Sequence, residues 1–261
     1  MNRRRRQRLV RGTLYGLFIL AVVSALVLAD WPAIARAFAN PELAREMFPD
    51  VITVAARNTI LYTALSFAFG LVGGLVLALM KISPIRPYRW MAVAYIELFR
   101  GLPALVTIMA VGFVVPIAFD ITVPGGVLGK GSVALGIVAA AYMAETIRAG
   151  IEAVPKGQME AARSLGMSYS QAMASIVLPQ AFRIVVPPLT NEFVLLLKDT
   201  SLLFVLGTTP LTKELFKFGR DAMSQNFNGT PLTVIALVYL AITLPLTQLV
   251  ARMERRTAHA R

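Results

Sequence analysis

The residues able to do chemistry lie in a few short polar groups set inside apolar sequence: Glu97 with Arg100, Glu145 with Arg148, Asn191 with Glu192, and the run Lys198-Asp199-Thr200-Ser201. An ionisable side chain deep in a bilayer costs at least ~2.5 kcal/mol, so each of these needs a partner or a task. Glu97/Arg100 and Glu145/Arg148 are three residues apart. On a helix that spacing puts both charges on one face, where they neutralise each other. The expectation for both is a structural ion pair, with a place on a solute path as the alternative. The run 198–201 puts a cation, a carboxylate and two hydroxyls side by side, and its bland reading is a Lys–Asp pair buried for packing or Lys198 snorkelling to an interface. Arg100-Gly101-Leu102-Pro103 adds backbone to this set, because Gly and Pro weaken a helix. Unpaired backbone at membrane depth is tolerated only against protein or a wet cavity.

These groups need long apolar elements to hold them. Of the 261 residues 57% are hydrophobic and only 15% charged, against about a quarter charged in soluble domains, and the mean hydropathy is +0.67. Crossing a bilayer takes about 20 residues of helix. Six spans are expected, at Thr13–Ala29, Val54–Met80, Trp90–Phe119, Val133–Val154, Ile184–Leu206 and Pro231–Ala251. The net charge of +12 is concentrated at the termini and in short connections, which is the positive-inside bias of a membrane protein rather than a nucleic-acid surface. Arg3–Arg6, Arg8 and Arg11 before the first span, the loop with Lys81, Arg86 and Arg89, and the tail Arg252, Arg255, Arg256 and Arg261 put both termini in the cytoplasm. The basic start also has the look of a signal peptide or twin-arginine signal, but no small-x-small cleavage site precedes Asp30-Trp31-Pro32, so an uncleaved anchor is expected. Segments 1–53, 54–251 and 252–261 are read as anchor and connector, core and tail. There is no Cys and the single His is His259. With no metal-ligand cluster and no phosphate-binding glycine loop visible, neither a catalytic site nor a bound cofactor is expected in this chain.

The connection after the fourth span is the most informative stretch. Pro155 ends that span, Gln158–Leu165 is rich in helix formers, and Gly166 stands where a left-handed cap stops a helix. A second short helix over Met167–Ala174, opened by Ser168 or Ser170, is expected next. Glu160-Ala161-Ala162, three residues, Gly166, nine residues and Ile176-Val177-Leu178-Pro179 resemble the EAA signature of ABC importer permeases. Around it, Glu97-Leu98-Phe99-Arg100-Gly101-Leu102-Pro103, Ala141-Tyr142-Met143-Ala144-Glu145, Pro155-Lys156-Gly157-Gln158, Pro187-Pro188, Asn191-Glu192 and Lys198–Leu202 are similar to the polar amino-acid branch of that family. The likeness covers residues 54–251 and leaves the first span outside. Leu102 departs from the Thr or Val more common there, which removes a hydroxyl contact.

The resemblance implies an all-α, MetI-like (type I) permease bundle with a cytoplasmic coupling helix around 155–175. Gly157, Glu160, Ala161, Ala162 and Gly166 would dock into separate ATPase subunits, two per transporter, which bind the ATP and Mg. It further implies a second permease subunit, an extracytoplasmic substrate-binding protein, and alternating access across the cytoplasmic membrane. Candidate path residues are then Arg100, Gly101, Pro103, Glu145, Asn191, Glu192, Lys198, Asp199, Thr200 and Ser201. Two consecutive prolines, Pro187-Pro188, should break or kink the fifth span, and broken helices are where transporters commonly bind solutes. An amino acid needs a carboxylate for its ammonium, and Asp199 is expected to supply it, with Thr200 or Ser201 assisting. An opine- or ectoine-like solute is the alternative within the class, and an integral-membrane enzyme the alternative outside it.

Overall fold

The apolar runs fold as helices, and among the described residues of the computed structural model, 3–259, there is no strand. In chain order these are α1 (Arg3–Leu28), α2 (Trp31–Phe38), α3 (Pro41–Glu46), α4 (Val51–Ile82), α5 (Arg86–Gly101), α6 (Ala104–Phe119), α7 (Gly126–Glu152), α8 (Lys156–Ser164), α9 (Tyr169–Leu206), α10 (Leu215–Asn226) and α11 (Thr230–His259). Arg261 of the expected tail lies outside the described residues. The helices α1, α4, α7, α9 and α11 are each long and apolar enough to cross a membrane, and the pair α5–α6 adds a sixth crossing if it is one bent span.

The centre of the bundle is the seam between α4 and α7, built from the smallest residues on both. A Cβ on Gly74 would lie 2.8 Å from Met143 Cβ and 3.1 Å from the Ala144 nitrogen, and one on Gly70 would lie 2.7 Å from Ala139 Cβ. Small residues let helix backbones approach closely in a membrane, where dispersion rather than hydrophobicity holds helices together. α6 and α9 pack around this seam, and Ile108, Leu135, Met143, Val185 and Leu203 share its buried core. A second core of Met47, Val51, Ala55, Leu215, Val234 and Ile235 joins the start of α4 to α10 and α11. In contrast, none of Arg11–Leu28 in α1 is buried.

Four expectations need correction. The third span is not one helix. At Leu102-Pro103 the backbone turns extended, and α5 and α6 meet at 107°, far beyond a proline kink. The fourth begins at Gly126 rather than Val133. The fifth is not broken, since the helix runs through Pro187 and Pro188 from Leu178 to Asp199. Proline's fixed φ is helical, so the pair removes only two backbone donors, and packing against neighbouring helices keeps the rod whole. Finally, there is no separate second short helix. Ser168 caps Tyr169 with a full capping box to Gln171, and the helix then enters the span through a π turn at Met173–Val177. That turn and the one at Ala110–Val114 each end two residues before a proline, Pro179 or Pro116. The proline ring would crowd the carbonyl four residues earlier, and a wider turn moves that carbonyl aside.

Candidate functional site: docking helix and polar faces

The short helix expected after Pro155 is present. Pro155 precedes it with an extended backbone, and α8 carries Gly157, Glu160 and Ala161 on its exposed side. Gly166 stops it in the left-handed region, φ +86°, with its N–H donating to the Arg163 carbonyl and Met167 N–H donating to the Ala162 carbonyl. Ala162 departs from expectation. It is buried within the chain, in a helix packed on the start of α9, so its small side chain serves that internal contact. Glu160 is exposed, free to meet another protein. Gln180 of α9 also donates to Gln158 Oε1 at 3.3 Å, tying α8 to the span that follows.

Directly above, four charges meet. Glu145 of α7 accepts from Lys81 of α4 and from Arg148 Nη2 at 2.9 Å, and Arg148 also pairs with Glu152 at 2.5 Å. The expected Glu145–Arg148 pair is present, and it belongs to a network that includes a cation 64 residues away in sequence. This ties Glu145 to the joint between α4 and α7 at the α8 end. The matching pair at Glu97–Arg100 does not form. Arg100 sits in the last turn of α5 and places its guanidinium 5.7 Å from the Tyr142 ring of α7, leaving Glu97 exposed. The cation thus holds the α5–α6 elbow, with exposed Gly101 and Pro103, against α7 by a cation–π contact.

The remaining polar candidates share one side of α9. Pro188, Asn191, Leu195 and Lys198 are exposed at spacings of three and four, which is a single helical face. Glu192 and Asp199, two turns apart, are half-buried beside it. No ion pair within 4 Å joins Lys198 to Asp199 among the described residues, so the alternative of a Lys–Asp pair buried for packing is not what the structure holds. Thr200 is fully buried and its hydroxyl donates to the Leu197 carbonyl at 2.7 Å. That internal bond removes it from solute contact and leaves Ser201, half-buried, as the available hydroxyl. A membrane helix that exposes an amide and a lysine, with two half-buried carboxylates beside them, must face a partner or water there.

The opposite end of the bundle holds a polar cluster that sequence reading missed. Asn58 Nδ2 donates to the carbonyls of Leu211 at 2.8 Å and Lys213 at 3.0 Å, and Thr59 Oγ1 accepts from Leu215 N–H. Fully buried Glu214 caps α10, accepting from Phe216 N–H at 2.6 Å and Lys217 N–H at 2.7 Å, with the Tyr239 hydroxyl at 3.4 Å. Burial pushes its carboxyl up to about 7, and those hydrogen bonds only partly offset this. Asp221, on the same helix, pairs with Lys213 and Lys217. Burial opposes its charge, but hydrogen bonds from the two lysines outweigh that and hold its carboxyl below the usual range. A glutamate beginning an amphipathic stretch was the available signal, hidden because that stretch reads as a loop between spans.

The structure thus combines helices long and apolar enough to cross a membrane, a short left-handed-capped helix at one end, a charge-locked joint beside it and a polar face on α9. Comparison with known proteins places it further. Residues 70–259 match the family of binding-protein-dependent transport system inner membrane components, and the chain belongs to that family, a multi-pass permease subunit of the ABC importer type. It is 40% identical over 207 residues to the probable glutamine ABC transporter permease protein GlnM of Bacillus subtilis (strain 168), covering 76% of this chain and 89% of that one. It is 35% identical over 237 residues to the L-cystine transport system permease protein TcyB of the same organism, covering 88% and 97%. The crystal structure of an amino acid ABC transporter with histidines superposes with a TM-score of 0.74 at 35% identity, covering 84% of this chain and 99% of that one.

Proposed function

We propose that the chain carries a polar amino acid across the cytoplasmic membrane as one permease of a pair, driven by two ATPase subunits and fed by an extracytoplasmic binding protein. The observation that carries this reading is the polar face of α9, whose Lys198, Asp199 and Glu192 form no salt bridge among the described residues and which offers both charges that a zwitterion requires. The relatives named for glutamine and cystine transport support the substrate class. The positive-inside bias of Lys81, Arg86 and Arg89 supports a cytoplasmic α8 end, where Glu160 meets the ATPases. ATP and Mg then belong to those subunits and this chain holds no cofactor. The pair is a homodimer or a dimer with a related permease, its polar α9 faces lining the path. Within that path Asp199 receives the α-ammonium and Ser201 assists, while Arg100 keeps the elbow next to it in place. Uptake of a labelled amino acid by the reconstituted complex, competed with each amino acid in turn, tests the substrate class. Asp199→Asn should weaken apparent affinity about tenfold or more, as expected for a charged hydrogen bond. Unchanged affinity would remove Asp199 from the site, and competition by no amino acid would overturn the substrate class.

A further inference from the structure

At the α8 end, a cleft of about 460 Å³ opens between the ends of α4 and α7 and the starts of α5 and α9. Its lining is of two kinds. Lys81, Arg89, Arg148 and Glu152 supply charge, and Ile82, Val93 and Met173 supply hydrocarbon. Lys81 and Arg148 spend their charges on Glu145 and Glu152, so three cations face two carboxylates and the surplus is Arg89, which takes part in no ion pair among the described residues. α4 ends at Ile82 and α5 starts at Arg86, so Arg89 sits in the first turn of α5, next to the end of the apolar helix α4. Trp90 and Tyr88 beside it are exposed, at 66% and 50%, as ring side chains are at the headgroup level. A basic pocket between membrane helices on the cytoplasmic side is the recognition chemistry for anionic lipid headgroups.

From this we infer that the cleft binds the phosphate of an anionic phospholipid, with Arg89 as its principal contact, Lys81 and Arg148 behind it, and an acyl chain along Val93 and Met173. The inference rests on the α8 end being cytoplasmic, as proposed above. A free amino acid fits the lining less well, because the surplus is one cation with apolar walls and no carboxylate is left over to receive an ammonium. Tyr169, which opens the helix following the docking corner, also lines the cleft, so the lipid would brace that corner against α5.

The test uses the whole purified transporter in nanodiscs of phosphatidylcholine with increasing phosphatidylglycerol. Lipid retained after detergent exchange is counted by mass spectrometry, without substrate or ATP. The wild type should hold phosphatidylglycerol selectively. Arg89→Gln should weaken that selectivity about tenfold or more, as expected when a hydrogen bond between charged groups is lost. Arg89→Lys should keep most of it, and Arg86→Gln, the same charge loss outside the cleft, should leave it unchanged. Equal losses in Arg86→Gln and Arg89→Gln would reduce the effect to diffuse surface charge and overturn the site. Displacement of the lipid by millimolar inorganic phosphate alone would make the occupant a free phosphate species instead. Because lipid retention is read without transport, a failed uptake assay would leave this result standing, and the reverse also holds.

Discussion

Gly166 offers the cleanest perturbation of the docking corner. Its φ of +86° lies in the left-handed region, and a Cβ placed there would meet nothing within 4 Å. Replacing it therefore changes backbone preference and nothing else. For an L-residue with a Cβ that conformation costs roughly 1–2 kcal/mol, a factor of about 5–30 in the population of the properly capped helix. Asn tolerates the region far better than Ala. Gly157, on the same helix, also has open space at its Cβ but an ordinary φ, so Gly157→Ala serves as a control for steric intrusion. In proteoliposomes with the ATPases and binding protein, Gly166→Ala should lower binding-protein-stimulated ATP hydrolysis several-fold. Gly166→Asn should fall in between, and Gly157→Ala should stay near wild type. Ala and Asn variants indistinguishable from wild type would refute the view that this cap holds the docking helix in place. An equal loss in Gly157→Ala would shift the explanation to contact with the ATPase surface.

Three further outcomes follow from the packing and the charges. Glu214 should make the α10 end more stable as pH falls. Its folded pKa of about 7 stands above the ordinary glutamate value of 4.5, so the folded state holds a proton that the unfolded state releases between those values. The ionised form is then disfavoured by about 3 kcal/mol above pH 7, and this penalty fades toward pH 4.5. Hydrogen exchange across α10 should slow from pH 8 to 5 after correction for intrinsic rates, and Glu214→Gln should flatten the trend. Glu145→Ala would leave Lys81 and Arg148 without their shared carboxylate and should lower the unfolding temperature in detergent, by about 2 kcal/mol or more in stability. Lys81→Met combined with Glu145→Gln should recover part of that loss, and failure to recover any would argue against a shared network. Gly74→Val would force α4 away from α7 and should cost about 1–3 kcal/mol or more, seen as a lower yield of folded, monodisperse protein.

How much was legible depended on how local the signal was. The long apolar runs set the spans, and Ser168, Gly166 and Pro155 announced the docking corner because capping is decided within four residues. The Glu145–Arg148 pair was readable for the same reason, whereas Lys81, the third member, comes from another helix and no spacing rule reaches it. Arg100 was assigned the nearest opposite charge, Glu97, but the sharp bend at Leu102-Pro103 turned it toward Tyr142 instead. Pro187-Pro188 misled most. Local propensity says break, but only two hydrogen bonds were at stake, and helix packing on both sides outweighed them. Glu214 stayed hidden because its meaning depends on Asn58 and Thr59 holding residues 211–215 against the start of α4.

The unbroken course of α9 has a mechanical consequence. From Tyr169 to Leu206 it spans 38 residues, a strut of roughly 57 Å at 1.5 Å per residue. It begins at the docking corner and ends just beyond Asp199 and Ser201. With no joint at mid-membrane, a tilt of about 5° at its foot would displace its far tip by roughly 5 Å over that length. Such a stroke is comparable to the width of an amino-acid side chain, and no residue inside the strut would have to change its backbone angles to deliver it. Gearing of that kind would let a small movement at one end of α9 shift the polar residues near its other end.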